Sequence, residues 1–253
     1  SDLIPDSVGP VRSARVGHVD LRQEWDAGFL YYGGQTRKGS NIEERFREYG
    51  VTSRDVQVLF SGIVGNNRPW KQYYTRVSGV VSPHNVDANV AAMYELIDPS
   101  FTPPNHAFLF TDELPATGES AEVITIDWGA VMYNSRFVYD VDSNQYFRYM
   151  LQKNDEEVAY EDKYTQEQLA FSNLIVQHTT VTWNGSSDAP VTVHIGEGNA
   201  DIFMGGKYIA GYWKRADANS RTVFYDAEGN EIALQRGKTF ISIIPAETTV
   251  SYE

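Results

Sequence analysis

The chain has 253 residues, 34 acidic against 21 basic side chains, a formal net charge of −13 and no cysteine. That charge argues against a nucleic-acid partner and is a poor one for lying on an anionic membrane, and the absent thiols exclude disulfides, iron–sulfur clusters and thiolate zinc sites. A hydrophobic content of 42% supports a full core, and no apolar run of about eighteen residues offers a spanning segment.

Residues Ser1 to Val8 read as a connector. From Arg12 to Trp25 the pattern predicts a helix, with Ala14, His18, Leu21 and Trp25 on one face. Phe29 to Tyr32 is a short strand closed by Gly33-Gly34. A second helix follows, capped by Ser40 with Glu43 completing a capping box, striped by Ile42, Phe46 and Tyr49, and ended by Gly50. Val56 to Phe60 alternates as a strand, and Gly65 to Pro69 is a loop. The string Ser82-Pro-His-Asn85 predicts a third helix start, with Asn85 as N-cap and Val86, Val90, Met93 and Ile97 as the buried stripe. Pro99 to Asn105 and Thr111 to Glu119 read as loops.

From Ala121 the pattern changes, and strands recur about every ten residues, over Val123–Trp128, Arg136–Val141, Tyr146–Leu151, Leu174–Trp183 and Val191–Ile195. Asn184-Gly185 and Gly205-Gly206 mark turns, and Thr165 to Phe171 reads as one helical turn. Near the end, Val223 to Tyr225 and Ile232 to Leu234 form a hairpin about Glu228-Gly-Asn230. Thr239 to Ile244, closed by Pro245, has the continuous apolar character of a strand buried on both faces. No internal repeat or low-complexity tract interrupts this. The fold class is α+β: helices mainly in the N-terminal half, then a large mostly antiparallel sheet. Residues 1–120 form an N-terminal α/β part and 121–253 a β-rich part packed as one unit with it.

Four strings, taken in chain order, carry a resemblance to a known family. They are Gly9-Pro-Val-Arg-Ser-Ala-Arg15 with its preceding Val8, Ser82-Pro-His-Asn85, Asn173-Leu-Ile-Val-Gln177, and the run from Gly211-Tyr-Trp-Lys-Arg215 to Gly237-Lys-Thr-Phe-Ile-Ser-Ile-Ile-Pro245. With these the chain resembles the YerB-like family of bacterial lipoproteins of unknown function. The resemblance implies a layered α/β sandwich and an extracytoplasmic, membrane-anchored setting, the lipid-bearing cysteine lying upstream of Ser1. Family members carry a further segment ahead of the Gly-Pro-Val-Arg-Ser-Ala-Arg string that has no counterpart here, so the N-terminal part is expected to be incomplete.

Several motifs carry less than they suggest. Gly196-Glu-Gly198 lacks the third glycine of a dinucleotide fingerprint and reads as a turn between strands. His18, His84, His106, His178 and His194 show no helical metal spacing, although His178 and His194 fall on adjacent predicted strands. No metal site and no cofactor are expected. Asn184-Gly-Ser186 is read as a turn rather than a glycosylation site.

Three features point to anions. Arg12, Ser13 and Arg15 are expected in the first turn of a helix, where unpaired N–H groups join two guanidinium forks; internal pairing with the many carboxylates is the simpler alternative. His84 and Asn85 are expected at another helix start. Trp213-Lys214-Arg215 could stack on a sugar or hold a phosphate, or place a core tryptophan beside edge-guarding charges. The resulting ligand-binding set is Arg12, Ser13, Arg15, His84, Asn85, Lys214 and Arg215. Three functions compete. The first is non-catalytic binding of an envelope glycan, anionic small ligand or envelope protein. The second is a cell-wall hydrolase or transferase using His84 with Arg12 and Arg15, and the third a structural scaffold.

Overall fold

The computed structural model describes residues 4–51, 59–61 (backbone only), 71–97, 106–128, 134–152, 156–183 and 190–253. The loops expected over Gly65–Pro69 and Pro99–Asn105, and the Asn184-Gly185 turn with its sequon, lie outside these residues. The chain divides into two compact units, and neither is continuous in sequence. The first holds Ser1–His106, Thr182–His194 and Asp217–Arg221; the second holds the rest.

The elements of the N-terminal stretch are short: α1 (Val16–Trp25), β1 (Phe29–Tyr31), β2 (Thr36–Arg37), β3 (Ser40–Asn41), α2 (Ile42–Glu48) and β4 (Leu59–Ser61). A 3-10 turn over Lys71–Tyr73 leads into β5 (Tyr74–Arg76), then β6 (Val86–Ala88) and α3 (Val90–Tyr94). What ties them together is an extended thread, residues 8–14. On one side it bonds to β6, through Val8 and Ala88 and from Val11 N–H to the Val86 carbonyl at 2.7 Å. On the other it runs beside the end of β1, where Tyr32 N–H meets the Arg12 carbonyl and Ala14 N–H meets that of Gly33, each at 3.0 Å. These sideways bonds hold Arg12–Ala14 extended, so α1 starts at Val16 rather than Arg12. Two small cores flank the thread: Val11, Val86, Ala88 and Met93 form one, and Ala14, Val19, Tyr31, Ile42 and Phe46 the other.

Two further N-terminal expectations change. Helix α2 is capped by Asn41, whose Oδ1 accepts from Glu43 N–H at 2.9 Å, and not by the buried Ser40. Ser82-Pro-His-Asn85 leads into β6, and α3 begins later with Asn89 as its cap. The reason is local pairing: Arg76↔Val86 and Tyr74↔Ala88 join β5 and β6 into a hairpin before any helix forms.

The remaining strands follow in order: β7 (Phe110–Thr111), β8 (Glu119–Ser120), β9 (Val123–Ile126), β10 (Ser135–Asp140) and β11 (Gln145–Leu151). After these come β12 (Glu157–Ala159), β13 (Ala170–Phe171), β14 (Asn173–Thr179), β15 (Val181–Trp183), β16 (Pro190–Thr192) and β17 (Gly196–Met204). The chain ends in β18 (Lys207–Arg215), β19 (Val223–Asp226), β20 (Leu234–Gln235), β21 (Thr239–Pro245) and β22 (Val250–Tyr252). Instead of one large sheet, the described residues form two six-stranded sheets and several two-stranded ones. The first large sheet runs β12-β11-β10-β9-β22 with β13 attached; the second runs β19-β18-β17-β14-β21 with β8 attached. Within these two sheets the described pairs are antiparallel except between β14 and β21. The sheets share a core, with Ile124, Ile126, Phe137 and Tyr146 from one meeting Leu174, Val176, Phe203 and Ile244 from the other. In this unit, among the described residues, the layers are sheet on sheet and no helix covers them.

The strand buried on both faces is β14, not β21. Leu174 and Val176 enter the core between the sheets, while Ile175 joins Ile202, Trp213 and Phe224 on the opposite side. Strand β21 is the sheet edge, and its Ile241 remains 36% exposed. The helical turn expected at Thr165–Phe171 is a turn leading to β13, with Gln166 at positive φ.

Candidate functional site

The geometry of interest sits where the thread passes the β5–β6 hairpin. Arg12 is exposed, and its Nη1 donates to His84 Nδ1 at 2.8 Å, with Nε2 3.2 Å away. For Nδ1 to accept, the ring proton sits on Nε2. Beside His84, Asn85 accepts through Oδ1 from Arg76 Nη1 at 2.9 Å, which leaves its amide N–H groups as donors. The Arg76 guanidinium lies 5.4 Å from the centre of the Tyr32 ring, and Tyr32 in turn bonds the Arg12 carbonyl. Each of these two side-chain acceptors is thus taken by an arginine. What the group still offers is N–H.

Ion pairing accentuates this. Arg22 pairs with Asp26, Arg45 with Asp20 and Glu48, Arg136 with Glu157, and Arg236 with Asp112. Among the described residues, Arg12, Arg15 and Arg76 have no carboxylate partner, in a chain with 34 acidic side chains. The close packing of the thread fixes the site. A Cβ on Gly9 would lie 1.8 Å from Asp87 Oδ1, so any larger residue there would have to displace the Asp87 side chain for the thread to reach β6.

The other expected site residues are placed differently. Ser13 Oγ donates to the Tyr32 carbonyl at 3.3 Å, not to His84. Arg15 is the N-cap residue of α1, and its Nη1 donates back to the carbonyls of Ser13 and Ala14. His18 Nδ1 accepts from Arg15 N–H at 3.2 Å; loss of water around the ring, then the Arg15 charge, hold its pKa below 6.5, although the residue as a whole stays exposed. Arg12 and His84 are therefore brought together, Asn85 beside them, while Ser13 and Arg15 are engaged with nearby backbone. Of the five residues expected at helix starts, only Arg15, the N-cap residue of α1, stands at one; Arg12 and Ser13 lie in the extended thread, and His84 and Asn85 precede β6.

Lys214 and Arg215 belong to the other unit and do not form one surface. Alternation along β18 turns Lys214 outward, 3.1 Å from Glu197, and buries Trp213 and Arg215 at 1% exposure each. Nor is β18 an edge, since β17 and β19 flank it. Gly196–Gly198 is the start of β17 rather than a turn, and Gly198 stands opposite Trp213. A Cβ there would lie 2.7 Å from the indole Nε1, which donates to the His178 carbonyl at 2.8 Å. His178 pairs with Asp201 on β17, while His194 belongs to the other unit. Among the described residues no group of three His, Asp or Glu side chains could hold a metal ion.

Sequence reasoning missed Arg76, which meets the site only because β5 folds back on β6. Its signal was the stretch 71–86, which carries Lys71 and Arg76 and no acidic residue.

A unit tied together by an extended N-terminal thread, and a second unit of two packed sheets, recur in a solved structure. The crystal structure of the YerB protein from Bacillus subtilis is similar to this chain with a TM-score of 0.72 at 21% identity, covering 98% of this chain and 78% of that one. The chain belongs to the DUF3048 family of proteins of unknown function: the family's N-terminal domain matches residues 2–100 and its C-terminal domain residues 124–241. No curated protein matches the sequence.

Proposed function

We propose that the chain is a non-catalytic, extracytoplasmic module that binds an anionic envelope ligand at Arg12, Arg76, His84 and Asn85. The observation that carries this reading is the donor-only character of the group, with two guanidinium ions unpaired by carboxylates on a strongly acidic chain. Carboxylate and phosphate oxygens match such a set, because they are acceptors and carry the opposite charge. The envelope setting rests on the lipoprotein resemblance of the sequence. No observation favours the hydrolase reading, since the His84 ring meets Arg12 rather than a nucleophile.

The test is calorimetric titration with inorganic phosphate at low ionic strength. Saturable binding is expected, and Arg12→Ala or Arg76→Ala should weaken it about tenfold or more, the worth of one charged hydrogen-bonded contact. Arg12→Ala and His84→Ala should combine non-additively, because the two side chains act as one unit. Binding unchanged by either arginine variant would remove the site.

A further inference from the structure

The loop that carries His84 and Asn85 also exposes apolar surface. Val77 N–H bonds the Asn85 carbonyl at 2.8 Å and closes a loop over residues 77–85, and His84 N–H bonds the Val81 carbonyl at 3.0 Å within it. Between these closures Val80 is 44% exposed and Val81 79%, with Pro83 exposed beside them. Isolated apolar side chains on a surface are ordinary, but here two adjacent ones project from the tip of a hairpin whose base holds Arg12 and Arg76. The loop contains no acidic residue. An apolar tip above a cationic base is the arrangement that enters the boundary between headgroups and acyl chains, the tip losing water and the cations meeting phosphates. The net charge of −13 does not oppose this at contact distance, because at physiological salt charges more than about 8 Å away are largely screened.

We infer that the 77–85 loop docks on an anionic phospholipid surface, Val80 and Val81 entering the interface while Arg12, Arg76 and His84 hold headgroup phosphate. This rests on the anion-binding reading of the same residues and names the source of the anion. The experiment is co-sedimentation of the 253-residue chain with phosphatidylcholine vesicles with and without phosphatidylglycerol, run beside the phosphate titration. Binding is expected only to the anionic vesicles, weakened by salt, and reduced about tenfold in the double variant Val80→Ser/Val81→Ser, whose phosphate affinity stays at the wild-type value. Phosphate binding without vesicle binding would overturn the membrane docking and leave the anion site standing. Vesicle binding insensitive to the valine pair would overturn it equally, and so would capture of an acidic peptide with vesicles ignored. Failure of both titrations would sink both readings.

Discussion

At the scale of single residues, the site depends on how closely the thread approaches its neighbours. Gly9→Ala would drive a methyl group into the Asp87 carboxylate, 1.8 Å from where Cβ must go. Because the flexible end of Asp87 can move, the expected cost is that of moderate overpacking, about 1–3 kcal/mol in urea unfolding, and Asp87→Ala in the same chain should recover part of it. Equal stability of Gly9→Ala and the parent would show that the thread can shift aside. The roles of Arg12 and His84 are likewise set by partners far apart in sequence. Their residue types were visible as anion-friendly, but the bond between them, 72 positions apart, was not.

At the scale of elements, many strands of the second unit were legible because strand-like apolar segments recur at short spacing between turn signals, as at β10, β11 and β14. What failed were the places where pairing overrides local pattern. Arg12–Arg15 looked like a first helical turn, yet the backbone groups of Arg12 and Ala14 bond sideways to Tyr32, Gly33 and Gln35. Thr239–Ile244 is apolar enough for a central strand, but strand order put it at an edge, which composition does not record. Asn173 shows the same limit from the other direction. Fully buried at the start of β14, it donates to the Gln235 carbonyl at 2.8 Å and to Thr239 Oγ1, and it accepts from Gln235 N–H at 2.9 Å. It thereby clamps β20 and the start of β21 to the central strand. Asn173→Ala should leave buried polar groups unpaired and cost about 1–3 kcal/mol for each, measured as a lowered denaturation midpoint with protection lost first around Gln235. A neutral substitution would mean that Gln235 finds other partners.

At the scale of the whole molecule, the charge distribution is the informative property. A chain at −13 has ample carboxylates to neutralise its arginines, and several are so neutralised, but those at the thread and hairpin are not. Among the described residues no helix is long and apolar enough to cross a membrane. The central claim is that Arg12 and Arg76 together hold an anion, and arginine side-chain NMR reads it most directly. On titration with inorganic phosphate, the Nε–H resonances of Arg12 and Arg76 should move together and saturate at one dissociation constant, while those of the ion-paired Arg22 and Arg45 stay in place. Shifts that fail to saturate, or that spread evenly over all four arginines, would contradict it.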